Sequence, residues 1–199
     1  MSQYFDEVPT VESHPIKVSF NYLGSDLVFT TDRGVFSYEK IDKATRILLD
    51  VFEEKFYGSI PNRIVDVGCG YGTIALCLAR KFPQSEITAV DINQRAIELC
   101  KKNVADNDIE NVFVKSASSF DDEKYDLIIS NPPIRIGKEA MFDLLKTWTN
   151  KLEDNGQMWL VIAKNLGADS TAAYLEFELN LNVKRVASKK GFRILRCEK

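Results

Sequence analysis

Three short stretches carry residue types that can do chemistry. The first is Ile64-Val65-Asp66-Val67-Gly68-Cys69-Gly70-Tyr71-Gly72-Thr73, an apolar run that meets three glycines at alternate positions. Glycines there let the backbone take positive φ and approach a ligand without a Cβ in the way, and a helix that starts behind them offers unpaired N–H donors. The spacing is G-x-G-x-G. Thr73 stands where the dinucleotide fingerprint has its third glycine, and no Gly-Lys-Ser/Thr follows, which excludes a P-loop. Asp66, just before the glycines, would repel a pyrophosphate but pair with an amino group or a sulfonium. Asp91 ends the next apolar run, where an acidic side chain can accept both hydroxyls of a ribose. Together the two acids describe a ligand with a ribose and a positive charge.

The third stretch is Asp126-Leu127-Ile128-Ile129-Ser130-Asn131-Pro132-Pro133-Ile134. In a doubly wound sheet, ligands sit beyond the carboxyl ends of strands, which puts Asn131 at the active edge. Two prolines fix φ and bring no N–H of their own, so the backbone there presents only acceptors. The fitting partner is a planar NH2 group. The Asn131 side-chain oxygen and the Pro132 carbonyl would each accept a hydrogen bond from it and aim its nitrogen at an electrophilic carbon. No strong base is needed beforehand, because the amine can lose its proton during or after an in-line displacement.

Alternating hydrophobic segments position these stretches. Lys17 to Tyr22 and Leu27 to Thr31 read as a hairpin turning at Leu23 to Asp26. Ser37 is a candidate N-cap for a first helix that runs to about Glu54, with Ile41, Ala44, Thr45, Leu48, Leu49 and Phe52 as its apolar stripe. Strands at Arg63 to Val67, Glu86 to Val90, Val112 to Lys115, Tyr125 to Ser130 and Gln157 to Ala163 follow. Helices at Thr73 to Phe82, Gln94 to Ala105, Lys138 to Leu152 and Ser170 to Leu179 alternate with them. Val183 to Ala187 and Phe192 to Cys197 are joined by Ser188-Lys189-Lys190-Gly191, too short for a parallel crossover, so they form an antiparallel pair. The expected fold is α/β: a mostly parallel seven-stranded sheet with an antiparallel C-terminal hairpin, helices on both faces and an N-terminal β-hairpin extension.

With 199 residues, 45% hydrophobic and 28% charged, the chain reads as one domain, 1–199, an extension (1–36) preceding a core (37–199). No stretch approaches the roughly 18 to 20 apolar residues of a membrane span, and the N-terminus lacks the basic and apolar regions of a secretory signal. The expectation is a cytoplasmic protein with no membrane partner. Cys69, Cys77, Cys100 and Cys197 form no C-x-x-C pair and His14 is the one histidine, so the cysteines read as buried packers and no metal site is expected. Net charge −3 excludes a cationic coat that would hold nucleic acid by charge alone. The last residues, with Lys184, Arg185, Lys189, Lys190, Arg193, Arg196 and Lys199 against Glu198, are the one clear charge asymmetry.

The glycine turn with Asp66 and Asp91 resembles the nucleoside-binding half of the class I S-adenosylmethionine-dependent methyltransferases, which implies their Rossmann-like fold and S-adenosyl-L-methionine as cofactor. The Asn-Pro-Pro-Ile stretch resembles the N-P-P-aromatic element of amino-group methyltransferases, with Ile134 in place of the aromatic. Phe36 or Phe192 is then left to supply a stacking face. Together with Gly34-Val35-Phe36-Ser37, these segments resemble the ribosomal RNA small-subunit methyltransferase C family in a single-domain version. The resemblance implies methylation of guanine N2 in small-subunit ribosomal RNA, with Asn131, Pro132, Pro133 and Ile134 as the catalytic loop. Cofactor contacts would come from Asp66, Gly68, Cys69, Gly70 and Gly72, and from Asp91, Ile92, Ser116, Ala117 and Asn131. Phe36, Arg135, Lys138 and Phe192 would meet the substrate, which is ribosomal RNA or the small ribosomal subunit. A monomer or weak dimer is expected. The alternatives are methylation of a protein glutamine amide, which offers the same planar NH2, and a binding module that kept the cofactor fold without catalysis.

Overall fold

The computed structural model describes residues 9–117, 123–133 and 136–199. In chain order the elements are β1 (Ile16–Tyr22), β2 (Ser25–Thr31), α1 (Lys43–Lys55), β3 (Arg63–Val67), α2 (Thr73–Lys81), β4 (Glu86–Asp91) and α3 (Gln94–Asp106). Then come β5 (Val112–Ser116), β6 (Tyr125–Ser130), α4 (Lys138–Asn150), β7 (Leu152–Ala163), α5 (Ala168–Ala173), β8 (Asn182–Lys189) and β9 (Phe192–Glu198). Strands β1 and β2 form a two-stranded sheet, and the other seven run in the order β5-β4-β3-β6-β7-β9-β8. The β4–β5 and β6–β7 pairs are parallel, whereas β9 is antiparallel to both β7 and β8, as the short C-terminal turn requires. The chain divides into two compact units, Met1–Asp42 with Val65–Asp121, and Lys43–Ile64 with Asp122–Lys199.

In the first unit the N-terminal hairpin turns at Leu23-Gly24, both with positive φ, so β2 starts two residues earlier than the sequence pattern places it. What fastens β2 is a pair of side-chain amides. Asn103 on α3 and Asn107, which caps the C-terminus of that helix, stand one turn apart, a rise of about 6 Å. Val28 and Thr30 stand two residues apart on β2, a spacing of nearly the same length. The Asn103 side chain accepts from Thr30 N at 2.7 Å and donates to Thr30 O at 2.9 Å, and Asn107 accepts from Val28 N at 3.0 Å and donates to Val28 O at 2.8 Å. Two asparagines thus do for the outer edge of β2 what a neighbouring strand would do.

In the second unit α1 lays Ala44, Ile47, Leu48, Val51 and Phe52 into the core, with the Phe52 ring edge-on to the fully buried Trp159 of β7 at 5.0 Å. Helix α1 begins at Lys43, not at Ser37. Ser37 has φ 54° and its hydroxyl donates to Lys40 O at 2.7 Å, so the serine closes a turn where the sequence suggested a cap. Strand β7 starts at Leu152, five residues before the expected Gln157, and α4 stops at Asn150 to make room. The last helix holds α-geometry only over Ala168–Ala173 and continues as a π-turn at Tyr174–Glu178.

The basic C-terminal hairpin is not an open cationic face. Six of its seven cations meet acids: Lys184 and Arg196 meet Glu198, Arg185 and Arg193 meet Asp169, Lys189 meets Glu54, and Lys199 meets Asp154. Counting charge along the sequence misses acids that folding brings in from elsewhere. All four cysteines are buried and free, as expected of packers.

Replacing Asn103 by alanine strands Thr30 N, Thr30 O and Tyr71 O, its three backbone partners. Urea unfolding of N103A is expected to show a loss of about 2–4 kcal/mol, since each buried group left without a partner costs about 1–3 kcal/mol and water recovers part of it.

Candidate functional site

After the exposed Arg63, β3 is apolar except for Asp66, which is fully buried. One carboxylate oxygen, Oδ2, accepts from Ala75 N in the first turn of α2 at 3.0 Å, while Oδ1 has no hydrogen-bond partner among the described residues. Burial, with a smaller push from the Asp91 charge, raises the Asp66 carboxyl to about 8, against the pull of the Ala75 N–H. An unmatched acceptor in so dry a place is costly unless a ligand supplies a donor, preferably a cationic one.

The turn that follows is held open. A Cβ at Gly68 or Gly70 would meet nothing within 4 Å, so the backbone there faces free space, and both residues have positive φ. Gly72 is glycine for a different reason, because a Cβ there would lie 2.7 Å from Cys100 Sγ and 2.9 Å from Leu76 Cδ1. Cys69 is buried, and its contact with Cys100 together with burial pushes its thiol well above the usual range, which makes it packing and not a nucleophile.

Asp91, at the end of β4, braces the same turn. Its Oδ2 accepts from Gly70 N at 2.8 Å and its Oδ1 from Asn93 N at 2.9 Å. Burial still raises its pKa against these bonds. Ile92 N also donates to this carboxylate, whose two oxygens together keep lone-pair capacity for a hydroxyl donor. Ile92 is 46% exposed beside it, an apolar surface next to an acid. Asn93 caps α3 through Arg95 N and Ala96 N and also donates to Gly34 O at 2.9 Å. Arg95 donates to Arg33 O and Val11 O, and Tyr71 OH in the glycine turn donates to Ser37 O at 3.4 Å. The Gly34–Ser37 segment is therefore tied at both ends, with Phe36 on it 46% exposed. Ala117 N donates to Asp91 O at 2.9 Å, which commits that N–H to the backbone, and the Ser116 residue before it is half-buried.

In the second unit, β6 delivers Asn131, half-buried, directly ahead of buried Pro132 and half-buried Pro133. Proline at the next position restricts the Asn131 backbone to extended conformations. Its side-chain Nδ2 donates to Thr45 Oγ1 in the first turn of α1 at 3.1 Å. Phe192 is brought to the same turn, with Lys43 Nζ 6.0 Å above its ring. Lys138, at the start of α4, lies over the ring of Phe142, itself stacked on Tyr174 at 4.0 Å. Ile134 and Arg135 lie outside the described residues. Among the described residues no group of three or more His, Cys, Asp or Glu side chains is placed to hold a metal, and no helix is long and apolar enough to cross a membrane.

Sequence reasoning missed Thr45, Asn93, Arg95, Asn103 and Asn107. Thr45 was counted in the apolar stripe of α1, and a hydroxyl inside that stripe was its only signal.

The family model described as methyltransferase small domain matches residues 26–196. The chain is 38% identical over 200 residues to the uncharacterized protein YbxB of Bacillus subtilis (strain 168), covering 98% of each. It is 31% identical over 198 residues to ribosomal RNA small subunit methyltransferase C of Psychromonas ingrahamii, covering 97% of this chain and 53% of that one. It thus spans about half the length of such relatives. A solved T. thermophilus 16S rRNA N2 methyltransferase in complex with AdoMet and guanosine shares the fold with a TM-score of 0.78 at 23% identity, over 96% of this chain and 52% of that one. Ribosomal protein L11 methylase of Lactobacillus delbrueckii subsp. bulgaricus has the same fold too, with a TM-score of 0.66 at 20% identity, over 80% of this chain and 84% of that one.

The raised Asp66 carboxyl fixes a pH dependence. Unfolded, it titrates near 3.8, and folded near 8, so the folded chain holds the extra proton and the ligand-free protein loses stability from this group as pH rises between those values. Thermal unfolding of ligand-free D66N from pH 5 to 8 is expected to fall less steeply than that of the wild type, and equal slopes would contradict the assignment.

Proposed function

The chain belongs to the methyltransferase small domain family and is an S-adenosylmethionine-dependent methyltransferase, and we propose that it methylates an exocyclic amino group, with guanine N2 of small-subunit ribosomal RNA as the acceptor. The observation that carries this reading is the Asn131-Pro132 pair at the end of β6, an amide with its nitrogen engaged by Thr45, next to a residue that has no N–H. Such a pair offers acceptors to a planar NH2 and nothing to a hydroxyl or thiol that needs a base.

The residues of the first unit fit the cofactor. The unmatched buried oxygen of Asp66 suits an ammonium group, the open backbone at Gly68 and Gly70 admits a ligand at van der Waals distance, and the remaining lone-pair capacity of the Asp91 carboxylate suits ribose hydroxyls. Exposed Ile92 offers an apolar face to a flat base. S-adenosylmethionine, when bound, supplies a methyl group on a sulfonium. The Asn131 oxygen and the Pro132 carbonyl would accept from the two N–H bonds of the acceptor and so orient its nitrogen, which would take the methyl group as the sulfonium bond breaks and release its surplus proton to water.

Guanine N2 is favoured among amino acceptors because a relative named for ribosomal RNA small subunit methylation matches 97% of this chain, and because the fold matches an enzyme solved with guanosine. Fold alone does not choose, since a ribosomal-protein methylase shares it. Net charge −3, with the C-terminal cations ion-paired, favours an assembled particle over naked RNA as the substrate.

Incubation with methyl-labelled S-adenosylmethionine and undermethylated small ribosomal subunits, followed by digestion to nucleosides and mass spectrometry, is expected to place label in N2-methylguanosine. Label in a protein glutamine, and none in RNA, would move the acceptor to the amide class. N131A is expected to lose a hundredfold or more in kcat, about 2.7 kcal/mol at the transition state, with cofactor affinity by calorimetry within about twofold of wild type. Full activity in N131A would remove its role.

A further inference from the structure

An asparagine side chain can accept a hydrogen bond from an amino group only if its oxygen, and not its nitrogen, faces that group. The two ends of the amide have almost the same size and shape, so packing hardly distinguishes them, and the direction of its hydrogen bonds does. A threonine hydroxyl can accept from the nitrogen or donate to the oxygen, and in this chain Thr45 is the acceptor. Its Oγ1 lies 3.1 Å from Asn131 Nδ2. The amide is planar, so tying down the nitrogen also sets the direction of the oxygen. Pro132 restricts the Asn131 backbone from the other side, which leaves the side-chain torsions to Thr45.

Thr45 is well placed for this. It is 6% exposed, in the first turn of a helix whose neighbouring residues Ala44, Ile47, Leu48 and Leu49 are core, so its own position is fixed by packing. The same helical turn carries Lys43 over Phe192, so one turn of α1 reaches both Asn131 and the ring at the start of β9.

Resting on the amino-acceptor reading above, we propose that Thr45 is a positioning residue for methyl transfer: its hydroxyl engages the Asn131 amide nitrogen and thereby presents the amide oxygen to the acceptor NH2. Thr45 touches neither cofactor nor acceptor in this role. It acts through Asn131, and its loss should reduce the fraction of enzyme with the acceptor correctly aimed, while cofactor capture, built from residues of β3, β4 and the turn between β3 and α2, stays as it is.

The test uses T45V, which keeps the shape and removes the hydroxyl, and T45S, which keeps the hydroxyl. In nitrogen-15 NMR spectra of the ligand-free full chain, with the Asn131 side-chain signal identified by its loss in N131A, one amide proton is expected to exchange slowly with water in the wild type and T45S and quickly in T45V. In the methylation assay on small ribosomal subunits, T45V is expected to lower kcat about tenfold to a hundredfold at unchanged KM for S-adenosylmethionine, and T45S to restore most of it. Wild-type kcat in T45V, or an exchange rate indifferent to the hydroxyl, would overturn the proposal. So would a loss of kcat that T45S fails to restore, because Thr45 would then be a packing residue. If N131A stays active, or if the wild type leaves the subunits unlabelled, it is the acceptor reading that fails, and the amide signal alone then decides whether Thr45 orients Asn131.

Discussion

The carboxylate of Asp91 is the brace on which the glycine turn of the first unit depends. Gly68 and Gly70, with open space where side chains would be, have no side-chain packing to keep the loop's shape there, and each of their N–H groups needs a partner. Asp91 spends one oxygen on Gly70 N and the other on Asn93 N. Asn93 in turn caps α3 and reaches Gly34 O, so a single acid at a strand end fixes the glycine turn, the start of a helix and, through that helix, the Gly34–Ser37 segment. Charge-assisted bonds to backbone N–H groups are the stronger kind, which suits a residue with so much depending on it.

Asp66 answers to the opposite logic. Where each Asp91 oxygen has a backbone N–H donor, one Asp66 oxygen finds no donor among the described residues in a fully buried place, and Asp66 holds its proton to about 8. Two acids one βα unit apart therefore differ in their supply of N–H groups. The one with donors on both oxygens shapes the loop, and the other keeps an oxygen open.

In the proposed reaction, Asn131 and the prolines after it would work by direction, not by proton affinity, and direction has to be supplied by neighbours. The core around Trp159 and Phe52 seats α1, and α1 brings Thr45 to Asn131 and Lys43 to Phe192. A fold used by RNA and protein methylases alike leaves acceptor choice to such details of the edge, and not to the sheet beneath.

Much of this was legible in the residues alone. The order and type of the strands, the antiparallel final pair and the glycine turn between two acids follow from local pattern, because alternation, apolar runs and glycine spacing act over a few residues. Ser37 misled because a serine can close a turn as readily as cap a helix, and only the start of α1 at Lys43 decides between them. The basic tail misled because Asp169, Glu54 and Asp154 are distant in sequence and adjacent in space. Asn103 and Asn107 carry no sequence signal of their role until β2 is laid against them, and Thr45 reads as one more member of an apolar stripe until Asn131 arrives from the end of β6. The sequence by itself determined the chemical vocabulary of this protein and the elements that carry it. Which polar atom meets which was decided by tertiary structure, since a hydrogen bond depends on separations of a few ångströms between residues tens of positions apart.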